Sequence, residues 1–126
     1  MKYAEPDIAI EVATRFLDDQ SEPDNERFAF AYTISITNCS KETVRLLSRH
    51  WLITDGNNEQ QEVHGEGVVG EQPYIPAGNT FEYTSGALLK TAVGTMQGSY
   101  GMITESGQHF DADIPAFGLV YPAALH

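Results

Sequence analysis

Three glycines in the chain have the spacing of a phosphate-binding loop. Gly65, Gly67 and Gly70 form a G-x-G-x-x-G pattern, which presents backbone N–H groups to a pyrophosphate when it connects a strand to a helix. Here Glu71-Gln72-Pro73 follows at once, with Pro76 soon after, and this is a poor start for the long helix of a dinucleotide-binding unit. A bulged edge strand, in which glycine supplies positive φ angles or close backbone contacts, explains the same pattern without a ligand.

Arg49 and His50 stand immediately before the single tryptophan, Trp51. Alternation assigns two faces to this segment, with Leu47, Arg49, Trp51 and Ile53 on one and Leu46, Ser48, His50 and Leu52 on the other. Because an unpaired guanidinium beside a core is costly, we expect Arg49 to stack on an aromatic ring or to bind a carboxylate. This anchoring role is the favoured interpretation, and contact with a ligand is the alternative.

The histidines are spread along the chain as His50, His64, His109 and His126, and none lies two or four residues from another. His109 alternates with Asp111 and Asp113 on one predicted strand face, where the three side chains could bind a divalent cation weakly. Such a row is more often a solvated strand face. We therefore predict no metal site and no cofactor.

The sequence contains no complete catalytic constellation. Cys39 is the only cysteine and lies in an Asn-Cys-Ser turn, and no serine occupies a G-x-S-x-G elbow. We predict that the protein is not an enzyme. The single cysteine also rules out a disulfide within the chain, which favours a reducing compartment.

The charge balance argues against polyanionic partners. The 126 residues carry 18 Asp and Glu against 7 Lys and Arg, a formal net charge of −11. Nucleic acids and anionic membranes bind mainly through Lys and Arg, so neither is a predicted partner.

The segment Met1–Arg15 lacks the apolar stretch of a signal peptide, and no run approaches the ~18 apolar residues of a membrane helix. We expect a cytoplasmic protein.

The residues that could bind a ligand must be positioned by strands, because apolar residues alternate along most of the chain. The predicted strands are Ile8–Phe16, Phe28–Thr37, Val44–Thr54, Thr80–Ser85, Met96–Thr104 and His109–Ala116, with Phe117–Tyr121 as a further edge strand. The stretch Asn57–Pro73 is predicted to be an irregular loop or a bulged edge. About seven short strands without a helix indicate an all-β, antiparallel sandwich that forms a single domain over residues 1–126.

Several motifs recur together in a known family. They are Arg49-His50-Trp51, Ile53-Thr54-Asp55, Gly65-x-Gly67-Val68-Val69-Gly70-Glu71-x-Pro73, Tyr83-Thr84-Ser85-Gly86, Met96-x-Gly98-x-Tyr100-x-Met102 and Leu125-His126. With these motifs in this order over almost its whole length, the chain resembles the bacterial ApaG family. The resemblance implies an immunoglobulin-like sandwich of the fibronectin type III kind.

The resemblance also implies a function. ApaG proteins have no established catalytic activity, and the family is associated with cobalt tolerance and magnesium efflux. Related domains in larger eukaryotic proteins, among them F-box proteins and a polymerase-interacting protein, indicate protein recognition. The leading hypothesis is therefore a non-catalytic β-sandwich binding module with an unidentified protein partner.

The alternative hypothesis places a nucleotide or pyrophosphate at the loop Gly65–Gly70, as has been suggested for the family. The glycines are intact here, although the carboxylate of Glu66 opposes a phosphate electrostatically. Under either hypothesis the predicted ligand-binding or partner-binding residues are the same: Arg49, His50, Gly65, Gly67, Gly70 and Glu71.

Overall fold

The protein is built almost entirely of β-strands in the computed structural model, which describes residues 6–125. The strands are β1 Ile8–Phe16, β2 Phe28–Asn38, β3 Val44–Asp55, β4 Gln60–Glu66, β5 Tyr74–Ile75, β6 Thr80–Leu89, β7 Val93–Thr104 and β8 His109–Val120. Short 3-10 helices span Asp18–Gln20, Pro23–Asn25 and Pro122–Leu125. No helix within residues 6–125 is long and apolar enough to cross a membrane.

The strands form two antiparallel sheets that pack face to face. One sheet has the order β1-β2-β6, and the other has the order β4-β3-β7-β8, with β5 pairing with β3 beyond the end of β4. The predicted antiparallel β-sandwich is confirmed. The predicted number of strands was close, since the eight observed strands include β5, which has only two residues.

The core lies between the sheets and follows the predicted alternation most closely in β2. Its inward side chains, Phe28, Phe30, Tyr32, Ile34 and Ile36, are all buried. Trp51 of β3 packs against them with its ring edge-on to Tyr32, at 5.5 Å between ring centroids. It also meets Phe117 of β8 edge-on at 5.9 Å. Trp51 is thus a central core residue, 3% exposed.

A β-bulge in β3 changes which residues share the core with Trp51. The register of β3 against β7 shifts between Leu46 and Ser48, so Leu47 has no partner on β7. The extra residue reverses the alternation on either side of it. Leu46 and Trp51 are therefore both buried on the same face, and the prediction that they lie on opposite faces was wrong.

A second bulge explains the unexpected length of β8. Its register against β7 shifts between Met96 and Gly98, where Pro115 and Ala116 lie opposite Gln97. Proline cannot donate a ladder hydrogen bond and is tolerated at a bulge on an edge strand. The prediction of one strand ending at Ala116 and another starting at Phe117 was wrong, because β8 continues through both to Val120.

The bounds and the pairing of the strand most important for the site were not predicted. Gln60–Glu66 forms β4, within a stretch predicted to be an irregular loop or bulged edge. Most side chains of β4 are exposed, and only Val63 and Gly65 are partly buried. A strand with polar residues on both faces lacks the period-two signal by which strands are recognised. β6 likewise extends past the predicted end at Ser85 to Leu89.

Candidate functional site

Arg49 anchors the chain where it leaves β4. It lies opposite Gly65 in the pairing of β3 with β4. Its Nη1 donates hydrogen bonds to the carbonyl oxygens of Glu66 at 3.0 Å and Gly67 at 2.9 Å. The sequence predicted an aromatic ring or a carboxylate as the partner, and this was wrong, because the partners are backbone carbonyls. The guanidinium is therefore hydrogen-bonded to the backbone at the edge of the core.

Each of the three glycines of the motif is required for a structural reason of its own. A Cβ at Gly65 would lie 2.5 Å from Cζ of Arg49, and a Cβ at Gly67 would collide with the carbonyl oxygen of Glu71. Gly70 has nothing nearby but adopts a φ of 82°. Close approach and positive φ therefore account for the spacing, as the interpretation without a ligand predicted.

A tight turn forms the tip of the glycine segment. Val68 and Glu71 exchange backbone hydrogen bonds of 2.8 Å and 2.9 Å. The two residues between them have positive φ, 44° at Val69 and 82° at Gly70. Positive φ at both central positions is typical of a type I′ turn.

Three amides of this segment already donate hydrogen bonds within the chain. The N–H of Gly67 donates to the carbonyl of Leu47 at 2.8 Å. The N–H of Val68 donates to the carbonyl of Glu71, and the N–H of Glu71 donates to the carbonyl of Val68. No helix begins at the glycines. The segment does not have the strand-to-helix geometry that presents N–H groups to a pyrophosphate. Nucleotide binding here stays a prediction, and this geometry gives it no support.

Residues 67–73, which we call the 67–73 loop, fill the gap between β4 and β5 beside the β3 bulge. Leu47, the bulge residue without a partner on β7, has a carbonyl oxygen that accepts two hydrogen bonds from the loop. The donors are the N–H of Gly67 and Nε2 of Gln72, the latter at 2.9 Å. Arg45 in turn donates from Nε to the carbonyl of Gln72 at 3.0 Å. The side chain of Val68 is buried. The loop is thus held in one conformation by hydrogen bonds and by a core residue.

Two large apolar side chains are nevertheless exposed along this segment. Val69 is 55% exposed and Tyr74 is 65% exposed. The guanidinium of Arg45 lies 4.6 Å from the centroid of the Tyr74 ring, a cation–π contact. Beside the ring is a hollow of about 370 Å³, whose lining includes Leu47 and Ile103. We call these residues, Val69, Tyr74, Arg45, Leu47 and Ile103, the Tyr74 surface.

A second group of polar side chains lies on the outer face of β3 and β4. His50 and His64 are cross-strand partners, and their rings stack with centroids 4.4 Å apart. Oε1 of Glu62 lies 2.7 Å from Nε2 of His50 and 3.6 Å from Nε2 of His64. The hydrogen bond from His50 and the charge of the imidazoles lower the pKa of the Glu62 carboxyl. We call this group the His50 cluster.

The His50 cluster was missed because its spacing in sequence is irregular. His50 and His64 are brought together only by the pairing of β4, which was not predicted. Within residues 6–125, the His50 cluster is the one set of three side chains whose metal-binding atoms lie close together. The row of His109, Asp111 and Asp113 is an exposed strand face, as predicted. His126 lies outside the described residues.

The comparisons with known proteins agree with the family resemblance. The ApaG domain profile matches residues 18–104, a range that contains both the 67–73 loop and the His50 cluster. The chain belongs to the ApaG family. It is 54% identical over 119 residues to the ApaG protein of Dechloromonas aromatica, covering 94% of each chain. It is 51% identical over 121 residues to ApaG of Escherichia coli O1:K1, covering 96% of this chain and 97% of that one.

Two solved structures show the same fold as this ApaG family member. An X-ray structure of a structural-genomics target superposes with a TM-score of 0.89 at 48% identity, covering 94% of this chain and 90% of that one. A crystal structure of a Bordetella pertussis protein assigned as ApaA has a TM-score of 0.90 at 45% identity, covering 93% and 95%. The sandwich is therefore the fold that these relatives share.

Proposed function

We propose that this ApaG family member is a non-catalytic binding module that recognises a protein partner through the Tyr74 surface. The observation that carries the proposal is the conformation of Val69, which is 55% exposed at a φ of 44°. A β-branched residue at positive φ is a conformational outlier that costs on the order of 1 kcal/mol or more. Because more than half of its surface is exposed, Val69 recovers little of that cost through burial in the chain itself.

A strained and exposed apolar residue is explained when a partner buries it. Strained residues are found mainly at sites of function, where the surrounding structure holds them in place. Glycine and asparagine fit the same turn position without this strain. The fold alone therefore gives no reason for valine at position 69, whereas contact with an apolar partner surface does.

Tyr74 supplies the second anchor of the proposed surface. Tyrosine and arginine are enriched in the buried centres of protein interfaces. Arg45 lies over the Tyr74 ring and is itself bonded to the 67–73 loop, so the ring is already supported before a partner arrives. Such preorganisation reduces the entropy lost on binding.

The two anchors are close enough to meet one partner. Val69 and Tyr74 are five positions apart in the chain, so their Cα atoms lie at most about 18 Å from each other. That span fits within an interface that buries about 800 Å² on each partner. Glu71 belongs to the 67–73 loop and Glu105 lines the hollow beside Tyr74. The chain as a whole carries a net charge of −11. We propose a partner that combines an apolar side chain with flanking basic residues.

We further propose that the partner acts in divalent-cation homeostasis, since the resemblance associates the family with cobalt tolerance and magnesium efflux. This part of the proposal rests on the family resemblance. The partner itself is defined here only by its chemistry, an apolar anchor with basic neighbours.

Affinity capture from the native cytosol, with variants of the chain as bait, tests the proposal. Val69→Asn removes the apolar side chain and suits the turn, while Tyr74→Ala removes the aromatic anchor. Leu88→Ala is the matched control, because Leu88 is 54% exposed on β6. We expect a reproducible partner that the control retains and that both test variants recover at least about fivefold less, since losing one anchor costs more than about 1 kcal/mol.

Two results would overturn the proposal. One is the absence of any reproducible partner from captures with the unmodified chain. The other is a partner recovered equally well by Val69→Asn and Tyr74→Ala, provided that melting curves show all baits to be folded. Recovery lost only with Leu88→Ala would place the interface on β6 instead.

A further inference from the structure

We propose that His50, Glu62 and His64 bind one divalent transition-metal ion on the outer face of β3 and β4. The cluster is separate from the Tyr74 surface and from the protein recognition proposed above. It consists of two imidazoles and one carboxylate, and the ligand atoms of the three side chains all lie within 4.8 Å of one another.

The backbone brings the two imidazoles into register. His50 and His64 are direct cross-strand partners, and cross-strand partners in an antiparallel pair have Cβ atoms about 5 Å apart. Their rings are nearly parallel, at 24° between planes. The same oxygen, Oε1 of Glu62, is approached by Nε2 of both rings. The three potential ligand atoms therefore already converge on one small volume.

The distances suit an ion of the size of zinc or nickel. Metal–ligand bonds of about 2.0–2.1 Å in a tetrahedral site separate neighbouring ligand atoms by roughly 3.4 Å. The contact between His64 and Glu62, at 3.6 Å, is close to that separation. The contact between His50 and Glu62, at 2.7 Å, must open when an ion enters. Both partners are exposed side chains that can rotate, at 36% for His50 and 59% for Glu62.

A hydrogen bond between His50 and Glu62 explains only part of the arrangement. It does not account for His64, whose side chain is 71% exposed and gains little burial by stacking on another imidazole. A shared ion gives both rings a common role. Because the side chains of His64 and Glu62 are mostly exposed, at 71% and 59%, water can occupy the remaining coordination positions.

The donor set determines the class of ion. Imidazole nitrogens favour zinc, nickel, copper and cobalt, whereas magnesium and calcium take oxygen ligands and retain several waters. Two imidazoles with one carboxylate should therefore bind zinc and nickel, and should bind magnesium poorly. Because three protein ligands leave a coordination position open, a water molecule would complete the coordination of the ion.

Calorimetry with zinc chloride and nickel chloride tests the site on the full chain without a histidine tag. We expect saturable binding of one ion per chain with either metal, and none with magnesium. His64→Ala removes a ligand atom, and Glu62→Gln replaces the charged carboxylate with a neutral amide, which is a weaker ligand. Each should weaken zinc binding at least about tenfold. His109→Ala is the matched control, since it removes an exposed histidine of β8 that lies outside the cluster, and should leave zinc binding unchanged.

A second measurement separates loss of the site from loss of the fold. Zinc should raise the melting temperature of the unmodified chain and of His109→Ala, but not that of His64→Ala. His64 is exposed, so its replacement should hardly change the melting temperature measured without metal. The proposal is overturned if zinc and nickel show no saturable binding up to millimolar concentration. It is equally overturned if His64→Ala binds zinc as the unmodified chain does, or if His109→Ala weakens binding as much as His64→Ala.

Discussion

The guanidinium of Arg49 lies in the space that Gly65 leaves empty on the neighbouring strand. A Cβ at Gly65 would come within 2.5 Å of the Arg49 Cζ. From this position Arg49 reaches the carbonyls of Glu66 and Gly67. The first glycine of the motif therefore allows an arginine to hold the chain that leads into the 67–73 loop.

Gly65→Ala should destabilise the protein by about 1–3 kcal/mol, since the new methyl group displaces Arg49 and breaks its hydrogen bonds to two carbonyls. Gly118→Ala in β8 is the control, because a Cβ there meets its nearest atom at 3.8 Å. Urea unfolding measures both variants. In an Arg49→Ala background the cost of Gly65→Ala should shrink. An unchanged cost in that background would show that Arg49 is not the reason for the glycine.

Val69→Asn should stabilise the protein by about 0.5–1 kcal/mol, because asparagine tolerates the left-handed conformation that strains valine. At the neighbouring position, Gly70→Ala should destabilise the protein by about 1 kcal/mol, because alanine is strained at the φ of 82°. A steric clash does not contribute, since no atom lies within 4 Å of the new Cβ. Urea unfolding again provides the measurement. A loss of stability in Val69→Asn would contradict the view that valine is retained at this turn for binding.

The buried hydroxyls of Tyr83 and Tyr100, which join β6 of one sheet to β7 of the other, should resist ionisation. They are hydrogen-bonded to each other, and burial raises the pKa of both phenols well above the ordinary value. A spectrophotometric titration at alkaline pH should therefore show exposed tyrosines ionising first. These two should ionise only as the protein unfolds.

The same pKa shifts predict how stability depends on pH. Both phenols ionise near pH 10 in the unfolded chain but stay neutral in the folded one. The contribution of these two phenols to the free energy of unfolding is complete below pH 10. It is lost as the pH rises, at up to about 1.4 kcal/mol per pH unit for each phenol. The double variant Tyr83→Phe/Tyr100→Phe should unfold with a shallower pH dependence between pH 10 and 11. An unchanged slope would show that other groups control alkaline unfolding.

A thermal-shift assay with ADP or pyrophosphate should show no rise in melting temperature at about 1 mM ligand. The amides of Gly67, Val68 and Glu71 already donate within the chain, and Glu66 and Glu71 add negative charge. A clear rise that Gly70→Ala abolishes would contradict this expectation. It would favour nucleotide binding at the glycine segment.

The sandwich could be predicted from the sequence because one face of β2 is apolar from Phe28 to Ile36. Phe30, Ile34 and Ile36 alternate without interruption, and their burial needs an opposing sheet. The bulges at Leu47 and at Pro115 could not be predicted, because each adds one residue whose effect appears only through the partner strand. They changed the face to which Leu46 was assigned and the end of β8.

The candidate sites were less predictable than the fold, since they depend on strand pairing. β4 has polar residues on both faces, so neither the pairing of His50 with His64 nor the position of Arg49 over Gly65 followed from the sequence. The glycine spacing did indicate an unusual backbone. The exposure of Val69 at positive φ required the structure itself, because valine is a poor residue for such a turn.

Site-specific photo-crosslinking in living cells tests protein recognition by the Tyr74 surface most directly. A benzophenone amino acid in place of Tyr74 keeps an aromatic ring at the proposed anchor, and the same amino acid in place of Leu88 is the control. We predict one dominant crosslinked protein from position 74, absent from position 88 and lost when Val69→Asn is added. No crosslinked protein from position 74, or the same product from both positions, would contradict the proposed function.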